Sequence, residues 1–170
     1  MNGPRLLYVV DGYNVLHALF ADMTSGELAG RREWLADQLA SFAALREAHV
    51  ILVWDAHGKP SPACEPLTGT RVEVCFAGGK FSADTLIARR IAEQPSEVSV
   101  VVVSADQEVQ RTAARAGVRR MTPRELGLDI DSLSKDLAKS HDSTRMPGSL
   151  EDKVDLETWR KLERMRTQGQ

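Results

Sequence analysis

Short apolar runs alternate along the chain with longer segments in which apolar residues recur at helical spacing. Residues 6–10, 50–54 and 98–103 are continuous β-rich apolar runs, and residues 72, 74 and 76 alternate as one face of a strand does. Residues 27–47 and 82–92 carry apolar positions mostly three or four apart, the pattern of amphipathic helices. Strands that alternate with helices in this order predict a parallel sheet covered by helices on both faces.

The same pattern predicts further elements and two connections. Residues 107–116 form a helix that stops at Gly117, residues 118–121 form a short strand, and Pro123 stands where another helix can begin. A tight turn follows Asp11, and residues 57–69, rich in Gly and Pro, form a loop. We therefore expect one three-layer α/β/α domain over residues 1–128, with a mainly parallel sheet of about five strands.

The C-terminal segment, residues 129–170, differs from this domain in composition. Residues 129–148 contain few large apolar side chains and many Ser, Asp and Lys, which predicts a linker. A final helix capped by Ser149 or Asp155 would follow it, with an apolar residue at every third position: Leu156, Trp159, Leu162 and Met165. We expect this helical tail to pack on the domain or to extend from it.

The composition indicates the protein's expected location and argues against a zinc site. No apolar stretch approaches the ~20 residues of a membrane helix, and no secretory signal is evident, so we expect a cytoplasmic protein without a membrane partner. The net charge is −2, so any basic surface must come from local arrangement. Cys64 and Cys75 are expected to be reduced thiols, and even with His57 they would lack the fourth ligand of a zinc site.

Four aspartates are placed so that the fold would bring them together. Asp11, Asp55 and Asp106 each follow a predicted strand, and Asp84 lies near the start of a predicted helix. The carboxyl ends of parallel strands meet at one edge of the sheet, where α/β folds place their sites. Carboxylates gathered there repel one another, and hard oxygen ligands favour Mg²⁺ or Mn²⁺. Alone, Asp84 could equally be a helix cap, and Asp55 could serve a structural purpose.

Four segments resemble one known family. Val10-Asp-Gly-Tyr-Asn-Val-Leu16 is similar to the opening signature of the NYN domains, specifically the bacterial YacP-like group within the PIN-like nuclease superfamily. Three later segments match in order and spacing: Trp54-Asp55, Ser82-Ala-Asp84 and Ser104-Ala-Asp106. The resemblance covers roughly residues 5–128 and implies a PIN-like fold with a C-terminal helical tail beyond it.

The resemblance also implies an activity and a set of site residues. The activity would be metal-dependent endoribonuclease cleavage in bacterial RNA processing or mRNA decay, with RNA as partner, including mRNA in a ribosomal context. The metal ligands, for Mg²⁺ or Mn²⁺, would be Asp11, Asp84 and Asp106. Asn14 would hydrogen-bond the site or a phosphate, while Ser104 and Asp55 would support the ligands. Many relatives carry a further acid where this chain has Ile87 and Ala88, which leaves the number of metals open.

Three basic residues are candidates for binding the substrate. Lys80 lies on a Gly-rich loop beside the expected site and could contact a phosphate, and Arg31 and Arg32 lie near the start of the first long helix. The Gly78-Gly-Lys80 segment is not a P-loop, because Val74 and Phe81 stand where Gly and Ser or Thr are needed. For Arg31 and Arg32 an exposed, solvated helix face explains the pattern equally well, and Lys80 could be a solvated loop residue.

Three other functions compete with an RNA nuclease. An RNA-binding adaptor of the same fold, weak in catalysis, would account for the missing acid. A phosphatase with a strand-end Asp nucleophile would need Asp-x-Asp, and Tyr13 stands where its second aspartate belongs. A DNA-directed nuclease stays open, because no residue is identified that reads a 2′-hydroxyl. The sequence predicts neither the RNA, nor the cut site, nor the oligomeric state.

Overall fold

A six-stranded sheet organises the part of the chain that the structure describes. The computed structural model describes residues 5–143, with side chains to residue 140. The strands are β1 (Leu6–Asp11), β2 (His49–Asp55), β3 (Ala63–Pro66), β4 (Val72–Ala77), β5 (Ser99–Val103) and β6 (Arg119–Met121). The helices are α1 (Gly12–Leu19), α2 (Leu28–Leu45), α3 (Ala83–Ala92), α4 (Gln107–Arg115) and α5 (Pro123–Ser143).

The sheet is parallel except at one edge, and helices cover both faces. The strand order is β3-β4-β2-β1-β5-β6, and only the β3–β4 pair is antiparallel. Alternate residues of β1 enter different cores: Tyr8 and Val10 pack with α1, α2 and α5, whereas Leu7 and Val9 pack with α3 and α4. Residues buried on both faces explain why the strands are continuous apolar runs. The predicted three-layer α/β/α architecture is confirmed.

The chain divides into two compact units, Met1–Ser134 and Lys135–Gln170. The sheet and the helices up to residue 134 belong to the first unit. In the second, the described residues 135–143 are helical. Within residues 5–143, no helix is long and apolar enough to cross a membrane.

Two elements were not predicted. The segment after Asp11 is not only a tight turn, because α1 begins at Gly12, directly at the end of the strand. Strand β3 lies inside the segment predicted as a loop, which raises the strand number to six. It is four residues long, mostly exposed and ends in Pro66, so it lacks the apolar alternation that identifies a strand, as edge strands often do.

The prediction of two reduced thiols is wrong. Cys64 on β3 and Cys75 on β4 are register partners across the antiparallel pair, and they form a disulfide. Directly opposed residues of neighbouring strands are close enough to be bridged. The pairing could not be inferred from the sequence, because the segment that carries Cys64 was not identified as a strand.

Helix α5 extends beyond the predicted domain boundary. It begins at Pro123 as predicted, but it continues through residues 129–143, which composition had indicated as a linker. Leu126 and Ile130 are buried in the core, four residues apart on one face, and this packing outweighs the polar composition of the segment. The predicted final helix with Trp159 lies outside the described residues, and the division at residue 128 into two parts stays a prediction.

Candidate active site

The carboxyl edge of the sheet carries the four aspartates that the sequence singled out. Asp11 and Asp55 are the last residues of the neighbouring strands β1 and β2. Asp106 is the N-cap of α4, just after β5, and Asp84 lies in the first turn of α3. Parallel pairing of β1 with both β2 and β5 brings these ends to one side of the molecule.

The turn from β1 into α1 fixes the first carboxylate. Asp11 is the N-cap of α1, and its Oδ1 accepts a hydrogen bond of 3.3 Å from the backbone N–H of Asn14. The Asn14 side-chain amide donates to Asp11 Oδ2 at 3.1 Å. Gly12 between them is required by packing, since a Cβ there would lie 2.5 Å from the ring of Trp54. The Asp-Gly-Tyr-Asn segment is therefore a helix start packed against β2.

Ser104 links this carboxylate to the next helix. Its buried hydroxyl donates to Asp11 Oδ2 at 3.4 Å and accepts from the backbone N–H of Asp106 at 3.1 Å. The Asn14 side-chain oxygen accepts from the backbone N–H of Ala105 at 2.9 Å. Asn14 and Ser104 thus hold the β1–α1 turn and the β5–α4 turn in a fixed relation.

Burial and neighbouring carboxylates make the ionised form of Asp11 unfavourable. Only 5% of its surface is exposed, and this burial raises its pKa from 3.8 to about 6. The hydrogen bond from Asn14 opposes the shift, whereas the nearby charges of Asp84 and Asp55 add to it. A positive charge placed between these carboxylates would relieve both the desolvation and the repulsion.

Asp84 lies near the other carboxylates, but it makes no hydrogen bond that stabilises the described part of the fold. The α3 N-cap is Ser82, whose Oγ accepts from the backbone N–H of Thr85, and Asp55 accepts from the backbone N–H of Ala83 at 2.8 Å. Among the described residues, Asp84 has no hydrogen-bond or ion-pair partner. Partial burial raises its pKa, and the charges of Asp106, Asp55 and Glu108 raise it further. The alternative that Asp84 caps its helix is wrong, because Ser82 is the cap. Asp55 does have the structural contact that was its own alternative.

Asp106 combines a structural contact with a free oxygen. Its Oδ1 accepts from the backbone N–H groups of Glu108 at 2.7 Å and Val109 at 3.3 Å, which caps α4. No hydrogen bond reaches its Oδ2 from the described residues. One oxygen is therefore committed to the helix, and the other remains open to a ligand.

Glu108 is an acidic residue of this edge that the sequence analysis missed. It lies in the first turn of α4, and its charge acts on Asp84. Its side chain is exposed and pairs with Arg111 at 3.2 Å. Its position two residues after Asp106 was the available signal, because a residue in the first turn of a strand-following helix starts at the same edge of the sheet. Ile87, in the neighbourhood where the resemblance implied a further acid, is buried in the core.

The donor set fits a hard divalent cation, although the carboxylates are spread out. Oxygen ligands without His or Cys favour Mg²⁺ or Mn²⁺. The Asp84 carboxylate and Asp106 Oδ2 accept no hydrogen bond from the described residues, so both could coordinate such an ion. No three acidic groups of this edge present oxygens within 4.8 Å of one another in the described part of the chain. Among the residues that the structure describes, the one cluster that tight is Cys64, Glu73 and Cys75, where both sulfurs are in the disulfide.

Comparison with known proteins identifies the family. The model of the YacP-like NYN domain matches residues 8–167, nearly the whole chain. The protein belongs to the YacP-like NYN domain family. Two crystal structures of Rae1 (YacP) from Bacillus subtilis share the fold. A tryptophan-to-leucine variant has a TM-score of 0.69 at 23% identity over 83% of this chain and 86% of that chain. A second structure has a TM-score of 0.68 at 22% identity over 95% and 91%.

None of the curated proteins matches the sequence significantly. At these identities the crystal structures show the fold alone, and the family match carries the assignment. The YacP-like NYN domain thus has the PIN-like, nuclease-like fold that the sequence motifs predicted, and membership of the family implies an association with RNA.

The basic residues predicted to bind substrate occupy different environments in this NYN domain. Lys80 is exposed on the loop before α3, without a partner among the described residues. The guanidinium of Arg31 lies 3.9 Å from the ring centroid of Phe20. Arg32 instead lies over the sheet, with its guanidinium 5.5 Å from the ring of Trp54. Of the three, only Lys80 is exposed and without a partner among the described residues, as a solvated surface position would be.

Proposed function

We propose that this protein is a divalent-metal-dependent endoribonuclease that hydrolyses phosphodiester bonds of RNA, in bacterial RNA processing or mRNA decay. The observation that carries the proposal is the state of Asp84. It is a half-buried carboxylate with a raised pKa and no partner among the described residues, although helix α3 has another cap. Such a group costs stability, which is typical of residues that serve a site.

Asp11, Asp84 and Asp106 would hold Mg²⁺ or Mn²⁺. When bound, the ion activates water and stabilises the charge that develops on the phosphate. Asp11 needs a counter-charge because it is buried next to two other carboxylates. Asp106 can contribute the oxygen that its helix cap leaves free.

The remaining residues orient these ligands and receive the substrate. Asn14 and Ser104 donate three hydrogen bonds to the Asp11 carboxylate. These bonds would fix its orientation as a metal ligand. Asp55 anchors the start of α3, and with it Asp84, through the backbone N–H of Ala83. Lys80 is close in sequence to this helix start and is free to contact a phosphate of the RNA.

An RNA-binding adaptor of the same fold remains the second candidate. The observation in its favour is the spread of the carboxylates, since no three of them approach within 4.8 Å in the described residues. Catalysis needs a metal to draw them together, whereas binding of RNA does not. RNA as the partner, mRNA in a ribosomal context and a cytoplasmic location are parts of the proposal in either case.

A cleavage assay separates the two candidates. Purified protein is incubated with RNA and DNA of the same sequence in Mg²⁺, Mn²⁺ or EDTA, beside the Asp84→Asn variant. The proposal expects internal cuts in RNA that need the metal and that the variant loses while it remains folded. Binding of RNA without cleavage under every condition supports the adaptor and contradicts the enzyme. Cleavage that survives in both EDTA and the variant contradicts the proposed site.

A further inference from the structure

A cavity lies on the α2 side of the sheet, one residue back from the carboxyl edge. Its floor is made of Trp54 of β2 with Val74 and Phe76 of β4. Trp54 and Phe76 are register partners on parallel strands, so their side chains lie side by side on the same face. Trp54 directly precedes Asp55, whose carboxylate accepts from α3 on the opposite face, so the cavity and the four aspartates share only the carboxyl edge of the sheet.

The wall of the cavity leaves room because α2 presents small side chains there. Ala29 and Ala36 line it together with Arg32 and Glu33. The volume is about 220 Å³. Pockets for drug-sized ligands run from about 300 to about 1,000 Å³, so this cavity suits a smaller group such as a single heterocycle.

Cations surround the aromatic floor. The guanidinium of Arg32 lies 5.5 Å from the ring centroid of Trp54 and 5.8 Å from that of Phe76. Lys59 Nζ lies 4.3 Å from the Phe76 centroid. Aromatic rings and guanidinium planes are the surfaces on which unpaired bases stack, and cations beside them attract the phosphates that accompany a base.

The rim also offers both kinds of hydrogen-bonding group that a base edge needs. Arg32 is a donor, and Glu33 is an exposed acceptor with no ion pair among the described residues. A carboxylate repels phosphate but accepts from the amino and imino N–H groups of bases. An apolar floor with one donor and one acceptor therefore matches a nucleobase better than it matches a phosphate alone.

We propose that this cavity, lined by Phe76, Arg32 and the buried Trp54, binds one unstacked base of single-stranded RNA on the α2 face of the sheet. This inference rests on the proposed function for its choice of polymer. The base lies against Phe76 and the Arg32 guanidinium, and Lys59, on a long flexible side chain, moves to the neighbouring phosphate. RNA whose bases are all paired cannot place a base there, so the substrate is single-stranded at this position.

The direct test removes the base and leaves the backbone. A short labelled single-stranded RNA is compared with a set of oligonucleotides in which one base at a time is absent. Affinities are measured by fluorescence anisotropy in EDTA, where metal-dependent cleavage does not occur. Loss of one particular base should weaken binding to wild-type protein by between about 5-fold and about 150-fold, the range for one stacked base.

Two substitutions with the same loss of charge localise the effect. Arg32→Gln should abolish the penalty for the missing base, so that intact and abasic RNA bind alike. Arg31→Gln, one residue earlier and stacked on Phe20 instead, should weaken both RNAs equally and keep their ratio. Phe76→Leu should also reduce the ratio, with the melting temperature as a check of folding.

The result that overturns the proposal requires no variant. If wild-type protein binds every abasic oligonucleotide as tightly as the intact RNA, the cavity holds no base. Equal ratios in Arg32→Gln and Arg31→Gln would likewise show that Arg32 acts only through its charge. If the protein does not cleave RNA but still binds abasic RNA more weakly, the proposed enzyme activity is wrong and the base site stands. If it cleaves RNA but binds abasic and intact RNA equally, only the base site is wrong.

Discussion

Asp84 and Asp106 both lie near the start of a helix in two successive strand–loop–helix units, but they make different contacts there. Asp106 is itself the N-cap of α4 and accepts two backbone hydrogen bonds. Asp84 lies two residues after the N-cap of α3, whose capping is done by Ser82 and Asp55. The Asp106 carboxylate stabilises its helix through these hydrogen bonds, whereas the Asp84 carboxylate makes none among the described residues.

This difference distinguishes an aspartate that stabilises the fold from one that does not. A capping aspartate stabilises its helix by about 0.5–2 kcal/mol relative to alanine, so its presence needs no site. A half-buried carboxylate that has no partner among the described residues and lies close to three other acids is destabilising, so it needs another explanation. Asp84 is therefore stronger evidence for a function than Asp106, although both follow a strand in the sequence.

The largest expected effect is on catalysis, where the two aspartates should behave alike. Asp84→Asn and Asp106→Asn should each lower the cleavage rate by orders of magnitude. Metal-assisted stabilisation is worth several kcal/mol, and each ~1.4 kcal/mol is a factor of ten in rate. Single-turnover rates in Mn²⁺ on protein of known folded fraction measure this. Undiminished cleavage by either folded variant would remove that residue from the site.

The next effect concerns pH and Asp11, the buried carboxylate of the same edge. Its pKa is raised to about 6 in the folded protein from 3.8. The stabilisation from its protonated form is therefore complete below about pH 4 and is lost as the pH rises through about 6. Relative to Asp11→Asn, the wild type should lose on the order of 3 kcal/mol of unfolding free energy across that range, at 1.36 kcal/mol per pKa unit.

Urea unfolding in EDTA at a series of pH values measures this difference. The variant cancels the titration of all other groups, which both proteins share. A difference that is flat between pH 4 and pH 7 would mean that Asp11 has an ordinary pKa. Added Mn²⁺ should reduce the slope for the wild type alone, because the ion replaces the proton as the counter-charge.

Alanine substitutions should then separate the two helices. Asp106→Ala should lower the free energy of unfolding by about 1 kcal/mol, because α4 loses its cap. Asp84→Ala should leave stability unchanged or raise it, since an unpartnered charge is removed. Ser82→Ala is the matched control, and it should cost about as much as Asp106→Ala. Measurements are made in EDTA at neutral pH. A loss of stability in Asp84→Ala equal to that of Ser82→Ala would end the distinction.

The sequence sufficed for the parts of the fold that depend on buried strands. Continuous apolar runs identified β1, β2 and β5, because strands covered on both faces must be apolar throughout. The helix starts at Ser82 and Pro123 and the stop at Gly117 were visible because caps and stops depend on single residues. The strand-end aspartates, Asp11, Asp55 and Asp106, followed from the topology of a parallel sheet. The structure places them, and Asp84 of α3, at the predicted edge.

The rest depended on contacts that no local pattern records. Strand β3 exists because it pairs with β4, and the disulfide between Cys64 and Cys75 depends on that pairing. Helix α5 continues beyond residue 128 because Ile130 meets the core. The state of Asp84 was likewise undecidable, since capping by Ser82 and capping by Asp84 give the same sequence pattern. The metal-binding roles of the aspartates stay predictions.

The smallest expected effect concerns the residues before the two helices. Lys80 stands two residues before the cap of α3, whereas Ala105 precedes the cap of α4, so only the α3 entrance carries a cation. Lys80→Ala should weaken RNA binding and lower the slope of log affinity against log salt by about one unit, because one phosphate contact is lost. Arg115→Ala, at the far end of α4, loses the same charge and should leave the slope unchanged. Binding in EDTA over a range of salt concentrations measures both. Equal slopes for wild type and Lys80→Ala would show that Lys80 is only a solvated loop residue and that the two helix entrances meet the RNA in the same way.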